Sequence, residues 1–222
     1  MLDCIKLKKY NFQLTCMIVK IFLFAIILSL STPLRAEIYS ASSVEEINNS
    51  IMEMLDKRES NKSLIIMPLE NFILEPKDDA FYLNDNESQN IAYNALKKAK
   101  FSRRIYRNEM ILTEYEQRFS DQMIPEFIRS IQEKNVPLIV VTKNTSGSLN
   151  KIAYLEVWTW QYLLDRGIDL SKSTIGGKQI IFNKQYKKVY GTYPTFYKGL
   201  LSCNAFEQYN SPQNIIATLL AI

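Results

Sequence analysis

The chain contains no histidine among its 222 residues. This absence excludes Ser-His-Asp and Cys-His catalysis, zinc sites with imidazole ligands and histidine-based pH switches. Cysteine is also scarce, because Cys4 and Cys16 lie near the N-terminus and only Cys203 stands in the rest of the chain. One cysteine makes neither an internal disulfide nor a cysteine-rich metal site, so cysteine usage is compatible with any compartment.

Most of the chain also lacks net charge. The formal charge is +4, but residues 1–36 hold five basic residues and one acidic residue, and the remainder carries 22 of each sign. A neutral body does not offer the basic surface that binds a phosphate backbone, so we expect no nucleic-acid partner. The composition is 47% hydrophobic and 23% charged, which is typical of one globular domain.

The N-terminal segment has the order of a secretory signal peptide. Lys20 precedes an apolar run, Ile21 to Leu30, and a Ser/Thr/Pro break follows before Ala36. The apolar run has about ten residues, whereas a membrane-spanning helix needs about twenty. We therefore assign residues 1–36 to a signal peptide and expect an exported protein, periplasmic or secreted, that touches the membrane only through this peptide. An uncleaved membrane anchor is the alternative.

Two apolar segments are typical of strands buried on both faces of a parallel sheet. The first, Leu64 to Met67, stops at Pro68, which cannot donate to a sheet ladder. The second, Val136 to Thr142, is again rich in β-branched residues and stops at the polar loop 143–148. In open α/β folds, ligands bind where such strands end.

Helical and short strand patterns surround these two segments. A helix is predicted behind Ser43, a candidate N-cap, since Val44, Ile47, Ile51 and Leu55 recur at helical spacing. Further helical patterns lie around residues 87–100, 110–119, 123–134 and 149–166. Residues 180–182 and 188–193 read as a short hairpin. The alternation of strands and helices predicts an α/β fold.

The string Leu64 to Pro76, LIIMPLENFILEP, resembles the first motif of the haloacid dehalogenase-like (HAD-like) phosphohydrolases. In that family a hydrophobic strand runs into Asp-x-Asp-x-Thr. The string is most similar to an exported bacterial branch whose motif reads roughly Phe-Asp-Ile-Asp-Asn-Thr-Leu-Leu-Glu-Pro. The matching positions are Asn71, Leu74, Glu75 and Pro76. The resemblance implies a Rossmann-like parallel sheet flanked by helices, with a helical cap inserted after the first core strand.

The residues that carry the chemistry in the family are replaced in this first motif. Pro68 stands where the family has its nucleophilic aspartate, Glu70 where it has the general acid/base aspartate, and Phe72 where it has threonine. A pyrrolidine ring can neither attack phosphorus nor bind a metal ion. The resemblance therefore implies a site whose shape persists without its nucleophile.

The later motifs of the family are only partly present. The resemblance places Thr142 at the second motif, whose hydroxyl holds the phosphoryl group, and Lys198, predicted at the start of a helix, at the third motif, whose lysine pairs with that group. The fourth motif follows a further strand, predicted to begin at Asn214, and ends in an acidic pair that binds Mg²⁺. Glu207 is the last acidic residue, so the Mg²⁺ ligands are missing and the sheet is expected to be incomplete on its C-terminal side.

The resemblance also divides the chain and leaves three functions open. It implies a core of residues 37–76 and 136–222 with a cap at 77–135. The first function is an exported, catalytically degenerate domain, either a pseudoenzyme or a decaying gene product. The second is an active Mg²⁺-dependent phosphatase that uses displaced carboxylates such as Glu75, Asp78 or Asp79. The third is a non-enzymatic exported protein that binds an anion, weakly and without a metal through Thr142 and Lys198, or binds a partner protein.

Overall fold

The computed structural model describes residues 38–57, 62–78, 107–173, 179–189, 191–204 and 210–221. The chain divides into two units, Met1–Ser40 and Ala41–Ile222, and the fold below is that of the second unit. The predicted signal peptide, the helical pattern at 87–100 and Asp79 lie outside the described residues.

The described residues form five α-helices, seven short strands and a 3-10 helix at Leu170–Lys172. In chain order these helices and strands are α1 (Val44–Asp56), β1 (Ile65–Pro68), β2 (Leu74–Pro76), α2 (Arg107–Glu114), β3 (Gln117–Phe119), α3 (Ile124–Glu133), β4 (Leu138–Thr142), α4 (Leu155–Leu164), β5 (Gln179–Ile181), β6 (Thr195–Tyr197), β7 (Leu200–Ser202) and α5 (Pro212–Leu220). None of the helices in these ranges is long and apolar enough to cross a membrane.

Five strands build a mixed sheet in the order β1-β4-β7-β6-β5. The first three strands are parallel, and β6 and β5 add to them antiparallel. Strands β2 and β3 pair with each other in a separate antiparallel ribbon. In sequence, α2 lies between these two strands. The α/β class predicted from the sequence is confirmed.

Helices cover both faces of the sheet. Because successive side chains along β4 point to opposite faces, they pack in two separate hydrophobic cores. Leu138 and Val140 pack in a cluster with buried residues of α1, α3 and α4. Ile139 packs in the other cluster, with Ile215 and Leu219 of α5. The predicted helix at 123–134 is confirmed as α3, and the Ser130 hydroxyl donates to Asn48 Oδ1 of α1 at 2.9 Å. This helix, inside the range assigned to the cap, thus packs in the core.

The helix predicted behind Ser43 is also confirmed. The Ser43 hydroxyl accepts the backbone N–H of Glu46 at 3.2 Å, and Val44 and Leu55 turn inward. The helix pattern around residues 110–119 was only partly right, because α2 ends at Glu114 and β3 follows. The helical stretch at 149–166 is shorter than predicted, since a tight turn pairs Leu149 with Ile152 before α4 begins.

The expectation that β1 is buried on both faces is wrong. It pairs with β4 and with no other strand among the described residues, so it lies at an edge of the sheet. Ile66 is 44% exposed, and Pro68 is exposed as well. An apolar run of four residues predicts a strand but does not reveal how many neighbours that strand has.

Three predictions in the last third of the chain are wrong. Lys198 and Gly199 do not open a helix: they form the two-residue turn of the β6–β7 hairpin, with φ angles of 47° and 89° that suit a primed turn. Strand β5 pairs with β6 rather than with residues 188–193, of which Val189 and Thr192 pair with each other. The strand predicted from Asn214 is helix α5, which begins at Pro212.

Candidate functional site

The candidate site lies where β1, β4 and β7 end, because the register of the parallel strands aligns their carboxyl ends. Pro68 lies opposite Val141, and Thr142 lies opposite Ser202. The residues that follow these strands, with α2 and its neighbours, therefore meet at one edge of the sheet.

Glu70 and Thr142, predicted at the first and second motifs, meet at this edge. The buried Thr142 hydroxyl donates to Glu70 Oε1 and accepts the backbone N–H of Asn144 at 3.0 Å. Burial raises the pKa of the Glu70 carboxyl, and hydrogen bonds from Thr142 and from the Lys143 backbone oppose the shift. The one proton of the Thr142 hydroxyl is thus donated inside the protein rather than held ready for a phosphoryl oxygen.

A second carboxyl, Glu109 of α2, enters the same region and was not found from the sequence. Its side chain is fully buried, and its Oε1 accepts the backbone N–H of Thr145 at 2.9 Å. Burial raises the pKa of Glu109 to about 7, and the nearby Glu70 adds to the rise. Glu109 Oε2 and Asn144 Oδ1 are both buried without a hydrogen-bond partner.

A cavity of about 30 Å³ lies beside these groups, enough space for one or two water molecules. Its apolar walls come from the end of β1, the β2–β3 ribbon and α2, and its polar lining includes Glu70 and Asn144. The lining residues are Leu69, Glu70, Asn71, Leu74, Pro76, Ile111, Leu112, Gln117 and Asn144. Helix α2 therefore forms part of the wall over this edge of the sheet.

The loop after β4 is fixed by side chains from outside it. Asn204, which follows β7 and is fully buried, accepts the Ser146 N–H at 2.8 Å and donates to the Thr192 hydroxyl at 2.8 Å. Glu156 of α4 accepts the Gly147 N–H at 2.7 Å. These bonds satisfy buried backbone donors and hold the loop that carries Asn144 and Thr145 in one conformation.

The residues at this edge do not fit the Mg²⁺ ion that the resemblance to HAD-like phosphohydrolases implies. The ion needs hard, charged oxygens in near-octahedral geometry. The Thr142 hydroxyl already donates to Glu70 Oε1, and the Thr145 N–H already donates to Glu109 Oε1. Within the described residues, no three acidic or cysteine side chains lie close enough together to hold a metal ion.

The displaced carboxylates proposed from the sequence lie in other surroundings. Glu75 is buried in β2, and its Oε1 pairs with Arg118 Nε of β3 at 2.8 Å. Asp78 is exposed just beyond β2, and Asp79 lies outside the described residues. The carboxyl that the fold does bring toward Glu70 is Glu109.

Lys198, predicted at the third motif, lies at the other end of the sheet. It precedes β7, and Ser202 at the carboxyl end of that strand is about 13 Å further along at the rise of a β-strand. Its Nζ lies 3.9 Å from the ring centroid of Trp160 in α4. Lys198 therefore does not join Thr142 in a phosphate site, and the predicted pairing is wrong for a topological reason: the residue belongs to a hairpin turn.

Replacing Lys198 by glutamine should destabilise the protein by only about 1 kcal/mol, because it removes two cation–π contacts, with Trp160 and more distantly with Tyr197, at a partly exposed site. Urea unfolding of Lys198→Gln measures this effect. Lys188→Gln is the matched control, since that lysine is exposed and lies 5.9 Å from the Tyr193 ring centroid. Loss of phosphate binding in Lys198→Gln alone would contradict the placement of Lys198 away from the site.

The thiol of Cys203, which follows β7 at this edge, is fully buried. Burial raises the pKa of its thiol to about 12, and Glu70 contributes to the rise. A thiol that stays protonated is a poor nucleophile and a poor metal ligand. Cys203 therefore acts as a small apolar core residue.

The chain is similar to bacterial proteins from Rickettsia. It is 29% identical over 190 residues to an uncharacterised protein of Rickettsia bellii (83% of this chain, 65% of that protein). It is 28% identical over 203 residues to one of Rickettsia conorii (89% and 68%), and 29% identical over 189 residues to one of Rickettsia typhi (82% and 64%). The chain thus spans about two thirds of the length of these relatives. No family model matches the chain, and no solved structure matches it.

Proposed function

We propose that the chain is a HAD-like domain that has lost phosphoryl transfer and works outside the cytoplasm as a non-catalytic protein. The observation that carries the proposal is Pro68 at the carboxyl end of β1, in register with Val141 of β4. A phosphoryl-accepting carboxylate belongs at such a strand end, and a proline ring cannot take its place.

The surroundings of Glu70 support the same conclusion. The side chain is bound to Thr142, and its raised pKa favours the uncharged carboxyl. A phosphotransfer site of this class needs charge that neutralises the phosphoryl oxygens, and the described edge offers two carboxyls and no lysine of the third motif. The first two motif segments follow the neighbouring parallel strands β1 and β4, which supports a HAD-like origin. The signal peptide predicted at 1–36 supports export, which cell fractionation tests.

The purified full-length protein is expected to hydrolyse an aryl phosphate such as p-nitrophenyl phosphate, with Mg²⁺ present, no faster than its Glu70→Gln variant. The physical reason is that the nucleophile, metal and positioning groups act together, so loss of the nucleophile leaves little rate for the others. A far-UV circular dichroism melt on the same sample checks that the protein is folded. Mg²⁺-dependent turnover that Glu70→Gln abolishes would contradict the proposal.

A phosphatase with a displaced carboxylate is the second candidate, and the approach of Glu109 to Glu70 favours it. A carboxyl with a pKa of about 7 suits general acid/base catalysis near neutral pH. Glu109→Gln and Glu75→Gln distinguish this candidate in the same assay. Turnover lost in Glu109→Gln and kept in Glu75→Gln, whose carboxyl pairs with Arg118, would support it over the non-catalytic domain.

A further inference from the structure

Helix α2 closes the carboxyl edge of the sheet by burying a carboxyl there. Glu109 lies in the first turn of α2 and is 0% exposed, and Ile111 and Leu112 of the same helix line the cavity beside Glu70 and Asn144. The Glu109 carboxyl accepts the Thr145 N–H, so one side chain connects α2 to the loop after β4. Removing α2 would open this side of the cavity.

The groups that face Glu109 do not favour a negative charge on it. Glu70, after β1, is the acidic group that acts on Glu109, and when it is ionised it repels a second carboxylate. Lys143, in the loop after β4, is exposed and acts on Glu70. Cys203, after β7, also faces Glu70 and carries no charge. Thr145 supplies the hydrogen bonds that favour ionisation, against the larger opposing effect of burial.

Two buried oxygens without hydrogen-bond partners at this edge independently favour the uncharged form of the Glu109 carboxyl. Glu109 Oε2 and Asn144 Oδ1 are both acceptors without a donor if Glu109 is ionised. A proton on Glu109 removes the negative charge from this buried carboxyl, which lowers the cost of leaving Oε2 without a donor. A buried carboxylate with an unused oxygen is costly, so ionisation favours any conformation in which Glu109 reaches water.

We propose that α2 is a proton-dependent closing segment: uncharged Glu109 holds α2 over the edge of the sheet, and ionisation of Glu109 releases α2 and opens the cavity beside Glu70. The inference extends beyond the proposed function, since access to the cavity changes with pH whether or not the site turns over phosphate.

Hydrogen exchange of α2 amides in the full-length protein tests the release, with rates corrected for the intrinsic effect of pH. With a pKa of about 7 closed and about 4.5 open, the open population should rise about thirtyfold from about pH 5.5 to about pH 8.5. Glu109→Gln should remove most of this rise, because an amide keeps the shape and does not ionise. Glu114→Gln, at an exposed position of the same helix, should keep it.

If Glu109→Gln does not fold, hydrogen exchange of the wild type alone still tests the release of α2. Release of α2 requires that α2 amides exchange faster than those of α3 at alkaline pH, because α3 packs in the core. Equal exchange in both helices would mean that α2 is exposed only when the whole domain unfolds, and would overturn the proposal. An unchanged α2 rate between the two pH values, or loss of the rise in Glu114→Gln as well, would overturn it too. No phosphate substrate is present, so the outcome is independent of the hydrolysis assay.

Discussion

Replacing Asn204 by alanine is expected to lower the free energy of unfolding by about 3 kcal/mol. The substitution leaves the buried Ser146 N–H without its acceptor and the Thr192 hydroxyl without its donor. An unsatisfied buried backbone donor costs about 1 to 3 kcal/mol. Asn204 also has a φ of 49°, and a left-handed conformation costs alanine about 1 kcal/mol more than asparagine. Urea denaturation followed by circular dichroism measures the loss.

Asn150→Ala is the matched control for Asn204→Ala. Asn150 has nearly the same φ of 50° but is exposed, so its replacement tests the conformational cost without a buried hydrogen bond. We expect a loss of about 1 kcal/mol there. Equal losses in the two variants would contradict the role of Asn204 in holding the loop after β4, and with it the fixed position of Asn144 and Thr145.

The parts of the fold that the sequence predicts are those in which local pattern and tertiary environment agree. Helix α3 has buried residues at helical spacing and lies over the sheet, and β4 is an apolar run with both faces covered. For these elements the period of the apolar residues determines both the structure and the buried face. The contact of Glu70 with Thr142 follows from the pairing of β1 with β4, because parallel strands in register align their carboxyl ends.

The failures come from information that no local pattern contains. Pairing of β1 with one neighbour depends on the whole topology, so Ile66 and Pro68 gave no sign of their exposure. Lys198 and Gly199 fit a lysine motif and a hairpin turn equally well as a string, and the apolar residues on either side make the turn possible. Glu109 lies at the site because α2, which is distant in sequence from both β1 and β4, packs against the edge of the sheet.

The stability of the protein is expected to fall by about 2.5 kcal/mol between about pH 5 and about pH 8 because of Glu109. The pKa of Glu109 is raised to about 7 in the folded protein, above the ordinary value of 4.5. The folded state therefore holds a proton that the unfolded state has released, and stability decreases as pH rises from 4.5 through 7. The raised pKa of Glu70 acts in the same direction. Urea denaturation across this pH range measures the slope.

Glu109→Gln should remove the part of this pH dependence that Glu109 contributes, because the amide has no proton to lose. Glu114→Gln makes the same chemical change at an exposed position of α2, where a carboxyl stays in water in both states, and should leave the slope as in the wild type. A wild-type stability that is constant or increases from pH 5 to pH 8 would contradict burial of an uncharged carboxyl at this edge. Since each unit of pKa shift corresponds to about 1.4 kcal/mol, the difference between the wild-type and Glu109→Gln slopes gives the strength with which folding holds the Glu109 proton.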